Sequence, residues 1–237
     1  MPRERRPRVV SLVPSATETL QAWGLTPIAV TRFCDLAGVA TVGGTKNPDV
    51  QAVVELAPDL VVMCDEENRR EDAQALEEAG LDLHVLAVRS VTDVAPALDG
   101  LALRLGITVP AVAGASPSVL APAAPRLKAF VPIWRRPWMT LSRDTYGHSV
   151  LVAVGVANVY ADATERYPET TLEEAAARRP DVVLAPSEPY PFGPRHTEEL
   201  QQVAPVVAVD GRDLFWWGVR TPEAIARIAA QVGLELP

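Results

Sequence analysis

The chain has 237 residues, of which 48% are hydrophobic and 22% are charged. This composition is typical of a folded globular protein and excludes wholesale disorder. Asp and Glu total 30 against 22 for Lys and Arg, and the resulting net charge of −8 argues against nucleic acid as the main partner. No apolar run reaches the ~18 residues that a membrane-spanning helix needs. Phe and Tyr number only four each, whereas there are five Trp, so the positions of the tryptophans are informative.

The N-terminal segment and the cysteines both bear on the cellular compartment of the protein. The basic N-terminus is followed by an apolar stretch that breaks at Pro14, too short for the core of a secretory signal. As written, the chain is expected to be cytoplasmic, or extracytoplasmic if it is a processed form. Cys34 and Cys64 are the only cysteines, and both thiols are expected to be unpaired. Neither a CxxC nor an HExxH pattern occurs, so no metal site and no resident cofactor is predicted.

Strands, turns and helices alternate along the first half of the chain, which is the pattern of an α/β fold. The β-branched residues at 9–13 predict a first strand. After it, Ser15 and Glu18 have the spacing of a helix-capping box, and the helix is expected to end at Gly24. The other elements predicted in this half are strands at 28–31, 60–63 and 83–88 and helices at 50–56 and 69–79.

The second half repeats this alternation. Its predicted elements are strands at 138–141, 181–184 and 206–209 and helices at 149–154, 172–177 and 198–203. The clearest repeat is Pro58-Asp59 before one apolar strand and Pro180-Asp181 before another. Two copies of a βα unit predict two similar α/β lobes with mainly parallel sheets flanked by helices. The predicted boundaries are 1–90 for the first lobe, 91–130 for the interlobe helix and linker, and 131–237 for the second lobe.

The segment between the lobes is expected to be a helix shortened or broken by proline. A helix is predicted at 91–105, but Pro110, Pro117, Pro122 and Pro125 follow, and each proline costs ~3 kcal/mol inside a helix. Ligands of parallel α/β sheets bind beyond the carboxyl ends of the strands, and pockets favour the boundary between lobes. The ligand cleft is therefore expected between the lobes.

The loops after the predicted strands carry the candidate ligand-binding residues, and four of the five tryptophans lie in such loops of the second lobe. Three adjacent aromatic residues at 215–217 cannot all face one core, because neighbouring side chains point in different directions. Aromatic rings beside guanidinium groups suit a large planar or anionic ligand. The candidate ligand-binding residues are Ser15, Phe33, Asp35, Glu66, Trp134, Arg135, Arg136, Trp138, Tyr146, Tyr167, Glu188, Phe215, Trp216, Trp217 and Arg220.

Three segments, at 8–18, 57–61 and 171–183, resemble the helical-backbone metal receptor superfamily. These are the class III substrate-binding proteins of ABC importers for vitamin B12, ferric siderophores and haem. The resemblance covers nearly the whole chain and is strongest for the vitamin B12-binding members. It implies ligand contacts at Phe33, Trp138, Tyr167 and 215–217. At two other aromatic positions of the corrin pocket this chain has Thr45 and Cys64.

The resemblance also leaves the ligand open between a cobalamin-like corrinoid and an anionic iron chelate. The residues that would hold an anionic chelate are Arg135, Arg136, Tyr146 and Arg220. Family members dock on an ABC permease through one acidic residue in each lobe. This implies Glu173 in the second lobe and, in the first lobe, Gln51 or the nearby Asp49.

The leading hypothesis is a monomeric binding protein for a metal-containing chelate, which serves an ABC importer or handles the ligand inside the cell. One alternative is an enzyme on the same bilobal fold, with acid–base chemistry at Glu66, Glu67, His148 or Glu188. Another is a protein-interaction module in which exposed aromatic residues form the interface.

Overall fold

A computed structural model describes residues 6–109 and 125–234. The strands are β1 (Val9–Ser11), β2 (Ala29–Val30), β3 (Ala40–Thr41), β4 (Leu60–Cys64), β5 (Leu83–Leu86), β6 (Leu127–Phe130), β7 (Trp138–Met139), β8 (Val156–Asn158), β9 (Glu169–Thr170), β10 (Val182–Pro186) and β11 (Val206–Val209). The helices are α1 (Pro14–Ala22), α2 (Val50–Glu55), α3 (Arg70–Glu78), α4 (Val91–Leu105), α5 (Tyr146–Ala153), α6 (Leu172–Ala177), α7 (Pro194–Leu200), α8 (Gly211–Phe215) and α9 (Thr221–Gln231). Within these ranges no helix is long and apolar enough to cross a bilayer.

The chain divides into two compact units, and both are discontinuous in sequence. The first contains residues 6–88, 93–109 and 217–219, and the second contains residues 89–92, 125–216 and 220–234. Most of α4 therefore packs with the first unit, although the sequence analysis placed it between the lobes. Of the prolines expected to break the interlobe segment, Pro110, Pro117 and Pro122 lie outside the described residues.

The first unit is built on a five-stranded parallel sheet with the order β3-β2-β1-β4-β5. β1 lies at the centre of this sheet and pairs on both sides, with Val10 opposite Ala29 and Val61. All three residues of β1 are buried as a result. A core of apolar side chains joins the sheet to α2 and α3. Its fully buried members include Val10, Leu12, Ala29, Val53, Val61, Met63 and Leu76. The predicted parallel α/β architecture is confirmed for this unit.

Helix α1 follows β1 as predicted, but it begins differently. The helix starts at Pro14, with Val13 as its N-cap and no side-chain cap. Proline suits the first helical position because the N–H that it lacks has no intrahelical partner there. The predicted capping box at Ser15 and Glu18 is therefore wrong. At the other end, Gly24 adopts a φ of +73° after the C-cap, as a helix-ending glycine is expected to do.

The second unit is built on a four-stranded parallel sheet with the order β11-β10-β6-β8. Two of its strands, β6 and β8, were missed in the sequence, since 127–130 was assigned to the linker. The predicted strand at 138–141 is instead the two-residue β7, which pairs antiparallel with β9 outside the main sheet. The core of this unit includes Phe130, Tyr160, Leu172, Ala175, Val183, Phe192 and Leu200.

The aspartates of the two Pro-Asp motifs make equivalent hydrogen bonds in the two units. The Asp59 N–H donates to the Arg8 carbonyl at 2.7 Å, and its carboxylate accepts the Arg8 N–H at 2.7 Å. Asp181 makes the same pair of bonds with the backbone of Lys128, at 2.8 and 2.7 Å. Each aspartate thus fixes the register of a strand against its parallel neighbour, and the repeat inferred from the sequence is confirmed in the structure.

The residue before each of these prolines is held in the left-handed region, with a φ of 43° at Ala57 and 53° at Arg179. A residue with a Cβ is strained there. Replacing either by glycine is expected to raise the free energy of unfolding by about 0.5–1 kcal/mol, measured by urea denaturation. The control is Ala176→Gly in α6, where glycine should destabilise the helix by about 1 kcal/mol. Equal losses in all three variants would contradict the assignment of strain.

Candidate functional site

The carboxyl edge of the first sheet presents one exposed aromatic ring. Phe33 follows β2, is 54% exposed, and has the Arg32 guanidinium 5.0 Å from its ring centroid. Asp35, two residues on, is also exposed. Nearby in the chain, the Lys46 ammonium donates to the backbone carbonyl of Glu66 at 2.6 Å, which ties the loop after β3 to the loop after β4. This edge therefore presents the exposed Phe33 ring with the Arg32 guanidinium against it.

The residue that organises these loops, Asn68, was missed in the sequence analysis. Its buried amide accepts the Cys64 N–H at 2.8 Å and donates to the carbonyls of Leu12 and Thr45 at 3.3 and 2.9 Å. One side chain thus joins the segments that follow β1, β3 and β4. The only signal in the sequence was an amide among charged residues, which is not distinctive.

Ser15 and Cys64 are buried in the first unit, and Cys34 is half-buried. Ser15 is 1% exposed, and its hydroxyl has no hydrogen-bond partner among the described residues. Cys34 is half-buried, with its sulphur 3.2 Å from the Thr17 hydroxyl and 3.3 Å from that of Thr31. Cys64 is buried, and burial raises the pKa of its thiol to about 12. Because Ser15 is buried, its exposure does not support the prediction that it contacts the ligand.

The carboxyl edge of the second sheet carries an aromatic cluster, defined as Trp134, Trp138, Tyr190, Phe192 and His196. Trp134 is 44% exposed and meets Tyr190 edge-on, with ring centroids 5.5 Å apart. Tyr190 lies 4.7 Å from Phe192, which stacks on Trp138 at 5.9 Å with an interplanar angle of 8°. His196 meets both Tyr190 and Phe192 edge-on. Trp134 is the exposed member of this aromatic cluster, and Tyr190 and Phe192 were not among the predicted site residues.

The arginines predicted to hold an anionic ligand are largely engaged by carboxylates. Arg135 pairs with Glu199 at 2.9 Å, and its guanidinium lies 5.8 Å from the Trp138 ring. Arg220 pairs with the buried Asp213, also at 2.9 Å. Arg136 is exposed. Two of the four side chains expected to hold an anionic chelate, Arg135 and Arg220, are therefore already paired with carboxylates. Of the three arginines in that set, Arg136 is the exposed one.

Tyr146 and Trp217 are also corrected. Tyr146 is 4% exposed, its hydroxyl is 2.9 Å from that of Thr221, and burial raises its pKa well above the usual range. Trp217 is 3% exposed and belongs to the first unit. Both are packing residues because their side chains lack the surface that a ligand would contact. Phe215 and Trp216, by contrast, are half-buried.

Trp217 is followed by a tight crossing of the backbone over α1. Gly218 has a φ of +127°, and a Cβ there would overlap the Thr19 hydroxyl. The Val219 N–H donates to the same hydroxyl at 3.4 Å. Glycine is required at 218 both for its backbone conformation and for this close approach.

Trp216 is surrounded by charged groups. The guanidinium carbons of Arg212 and Arg220 lie 5.6 and 5.5 Å from its ring. Burial raises the pKa of the nearby Glu188 carboxyl, and the Trp216 indole and the two arginines oppose this shift. The ring is therefore an oriented aromatic surface at the carboxyl edge of the second sheet.

The remaining predicted residues are Tyr167 and the three candidate docking residues. Tyr167 is half-buried with the Arg166 guanidinium 5.5 Å from its ring. The three candidate docking residues are all exposed, Asp49 and Gln51 at α2 and Glu173 at α6. A cavity of about 650 Å³ beside α3 and another of about 540 Å³ beside α6 include none of the predicted ligand-binding residues.

Two of the candidate catalytic groups, His148 and Glu188, share no hydrogen bond in the part of the chain described. His148 is half-buried, and burial together with Arg143 lowers its pKa. Its buried Nδ1 has no hydrogen-bond partner among the described residues. Over the same residues, 6–109 and 125–234, no three His, Cys, Asp or Glu side chains are placed to hold a metal ion.

Known proteins similar to this chain are binding proteins. No family model matches it. The vitamin B12-binding protein of Salmonella paratyphi A is 26% identical over 190 residues, which cover 75% of this chain and 71% of that protein. The periplasmic vitamin B12-binding protein BtuF of Vibrio cholerae has a TM-score of 0.80 at 19% identity, covering 96% of each chain. A periplasmic haem-binding protein from Pseudomonas aeruginosa has a TM-score of 0.79 at 20% identity, covering 98% of this chain and 95% of that one.

These similarities confirm the resemblance and the α/β fold class predicted from the sequence. They do not support the cytoplasmic location expected of the chain as written, since the two structural neighbours are periplasmic proteins.

Proposed function

Starting from its place among relatives of the class III ABC-importer substrate-binding proteins, we propose that the chain binds a planar metal chelate of the corrinoid or haem type. In this proposal it acts outside the cytoplasm, as a carrier that delivers the ligand to an ABC permease. The names of its relatives, which bind vitamin B12 or haem, support the class of ligand. The metal belongs to the ligand, and the protein contributes no catalytic group.

The observation that carries this proposal is the pairing of aromatic rings with guanidinium groups at the carboxyl edges of both sheets. Phe33 has Arg32 against its ring in the first unit, and Trp216 has Arg212 and Arg220 in the second. Trp134 adds an exposed face backed by the aromatic cluster. Large apolar rings present wide surfaces to a macrocycle, and the exposed guanidinium group of Arg136 suits its polar or carboxylate substituents. The proposed ligand contacts are Phe33, Trp134, Arg136, Tyr167, Phe215 and Trp216.

The exposure of the three candidate docking residues is compatible with the proposed permease partner. Glu173 lies in the first turn of α6, where its carboxylate is exposed and favoured by the helix dipole. In the first unit Asp49 accepts the Ala52 N–H at 3.0 Å as the N-cap of α2, and Gln51 donates to Glu55 at 3.0 Å. Because the Asp49 carboxylate is the charged group of the two, we take it as the first-unit counterpart of Glu173.

Titration of the purified chain with cyanocobalamin, haemin and a ferric hydroxamate siderophore, followed by tryptophan fluorescence, tests the proposal. We expect saturable quenching at micromolar ligand for cyanocobalamin or haemin. Phe33→Ala and Trp134→Ala should each weaken binding about 5- to 30-fold, because a lost aromatic anchor costs about 1–2 kcal/mol. Trp23→Phe, which alters a half-buried ring at the end of α1, is the matched control and should bind as the parent does. Absence of binding to both cyanocobalamin and haemin would refute the proposal, whether or not the siderophore binds.

A further inference from the structure

The backbone of Trp134 is fixed by a short antiparallel bridge to β7. Its carbonyl accepts the Met139 N–H at 3.2 Å, and the Ile133 N–H donates to the Met139 carbonyl at 2.8 Å. The side chain is less constrained, because the residue is 44% exposed and its indole N–H makes no hydrogen bond within residues 6–109 and 125–234. With the backbone held, the side-chain torsions decide where the indole ring lies.

Tyr190 supplies the ring contact that orients this indole. The two ring centroids lie 5.5 Å apart at an interplanar angle of 77°, so the edge of one ring meets the face of the other. Edge-to-face packing is a favoured geometry of aromatic pairs, and it is lost when either ring rotates. Among the described residues, no second aromatic ring contacts Trp134. The orientation of the Trp134 indole therefore depends on Tyr190.

Tyr190 is itself held by neighbours in its own loop and in α7. Its ring centroid lies 4.7 Å from that of Phe192, whose backbone N–H donates to the Tyr190 carbonyl at 2.8 Å. His196 of α7 meets the Tyr190 ring edge-on at 5.4 Å, and its Nε2 is 3.4 Å from the Tyr190 hydroxyl. The buried His196 is fixed in turn, because its Nδ1 accepts the Gly193 N–H at 3.1 Å. Tyr190 is therefore a supported ring, unlike the exposed indole that it meets.

We propose that Tyr190 is a positioning residue, which holds the Trp134 indole in place by edge-to-face packing and thereby determines how tightly the chain binds a planar chelate. This inference rests on the proposed function, in which Trp134 contacts the ligand. It assigns Tyr190 no direct contact with the ligand. The ring of Tyr190 makes the contact with the indole, so Tyr190→Phe keeps this support and Tyr190→Leu removes it.

A double-mutant cycle between positions 190 and 134 tests this role, with cyanocobalamin and haemin as the probes. Tyr190→Leu should weaken binding about fivefold, whereas Tyr190→Phe should bind within about twofold of the parent because it retains the ring. In a Trp134→Ala background, Tyr190→Leu should change affinity by less than about twofold, since the indole that it positions is gone. An equal loss with and without Trp134 would overturn the proposal, because Tyr190 would then act without the indole.

The position-190 variants without ligand distinguish failure of this inference from failure of the proposed function. The Trp134 contribution to the near-ultraviolet circular dichroism is the difference between each protein and its Trp134→Phe counterpart, read at the long-wavelength edge where tyrosine does not absorb. We expect Tyr190→Leu to reduce this contribution and Tyr190→Phe to preserve it, whether or not either chelate binds. An unchanged contribution in folded Tyr190→Leu protein would overturn the positioning role. A reduced contribution in a chain that binds neither chelate would refute only the proposed function.

Discussion

Replacing Asp213 with alanine is expected to lower the free energy of unfolding by about 3–4 kcal/mol. Asp213 is 2% exposed and holds two guanidinium groups, Arg220 at 2.9 Å and Arg227 at 2.7 and 2.8 Å. The Arg220 side chain is only 13% exposed, so removal of the Asp213 carboxylate would take a neutralising charge away from a largely desolvated cation. The loss should appear in urea denaturation followed by far-ultraviolet circular dichroism.

Glu223→Ala is the matched control for Asp213. Glu223 also pairs with Arg227, at 3.4 Å, but its side chain is 82% exposed and lies on the same helix, α9. An exposed pair of this kind contributes little, and its loss should cost less than about 1 kcal/mol. If the two variants lose the same stability, the buried carboxylate is not the element that holds α8 against α9.

Asn68→Ala is expected to lower the free energy of unfolding by about 3 kcal/mol, since each buried polar group left without its partner destabilises the fold by about 1–3 kcal/mol. The change would leave the Cys64 N–H and the carbonyls of Leu12 and Thr45 without this amide. Both the stability of the first unit and the shape of its carboxyl edge depend on these bonds. Ligand affinity should therefore fall together with the denaturation midpoint.

Gln74→Ala provides the comparison for Asn68. Gln74 is an exposed amide on α3 that donates to Glu78 at 2.8 Å, a bond between two solvated side chains. Its removal should change stability by less than about 0.5 kcal/mol. A second variant, Asn68→Asp, keeps an acceptor for the Cys64 N–H but loses both donors. It should fall between the parent and Asn68→Ala, and stability equal to the parent would contradict the role of the amide donors.

The parts of the fold that could be predicted are those with local signals. The Pro-Asp motifs at 58–59 and 180–181 precede buried apolar strands, and this repeat revealed the two α/β units. β6 was missed because its four residues, Leu-Lys-Ala-Phe, form a short and weakly patterned run after a proline-rich stretch. Its central place in the sheet comes from pairing with β8 and β10, which are distant in sequence.

For the candidate site, the sequence indicated residue types but not their partners. Phe33 and Trp134 were predicted as binding surfaces, and both are among the exposed large apolar side chains. The role of Arg135 depends on Glu199, which is 64 positions away in the chain, and local pattern contains no trace of such a pair. Trp217 was grouped with its neighbours because adjacent aromatic residues look alike in sequence, whereas packing separates the buried ring at 217 from the half-buried ring at 216.

The return of residues 217–219 to the first unit has a consequence for how the chain can be divided. The internal repeat suggests two modules that a cut in the 110–124 region would release, but the first of them would lack Trp217 and the backbone N–H that meets Thr19. Gene duplication can produce two similar halves, yet here neither half is a contiguous stretch of sequence. Autonomous expression of the N-terminal half, circular permutation and lobe exchange between relatives would each have to retain this three-residue segment in place against α1.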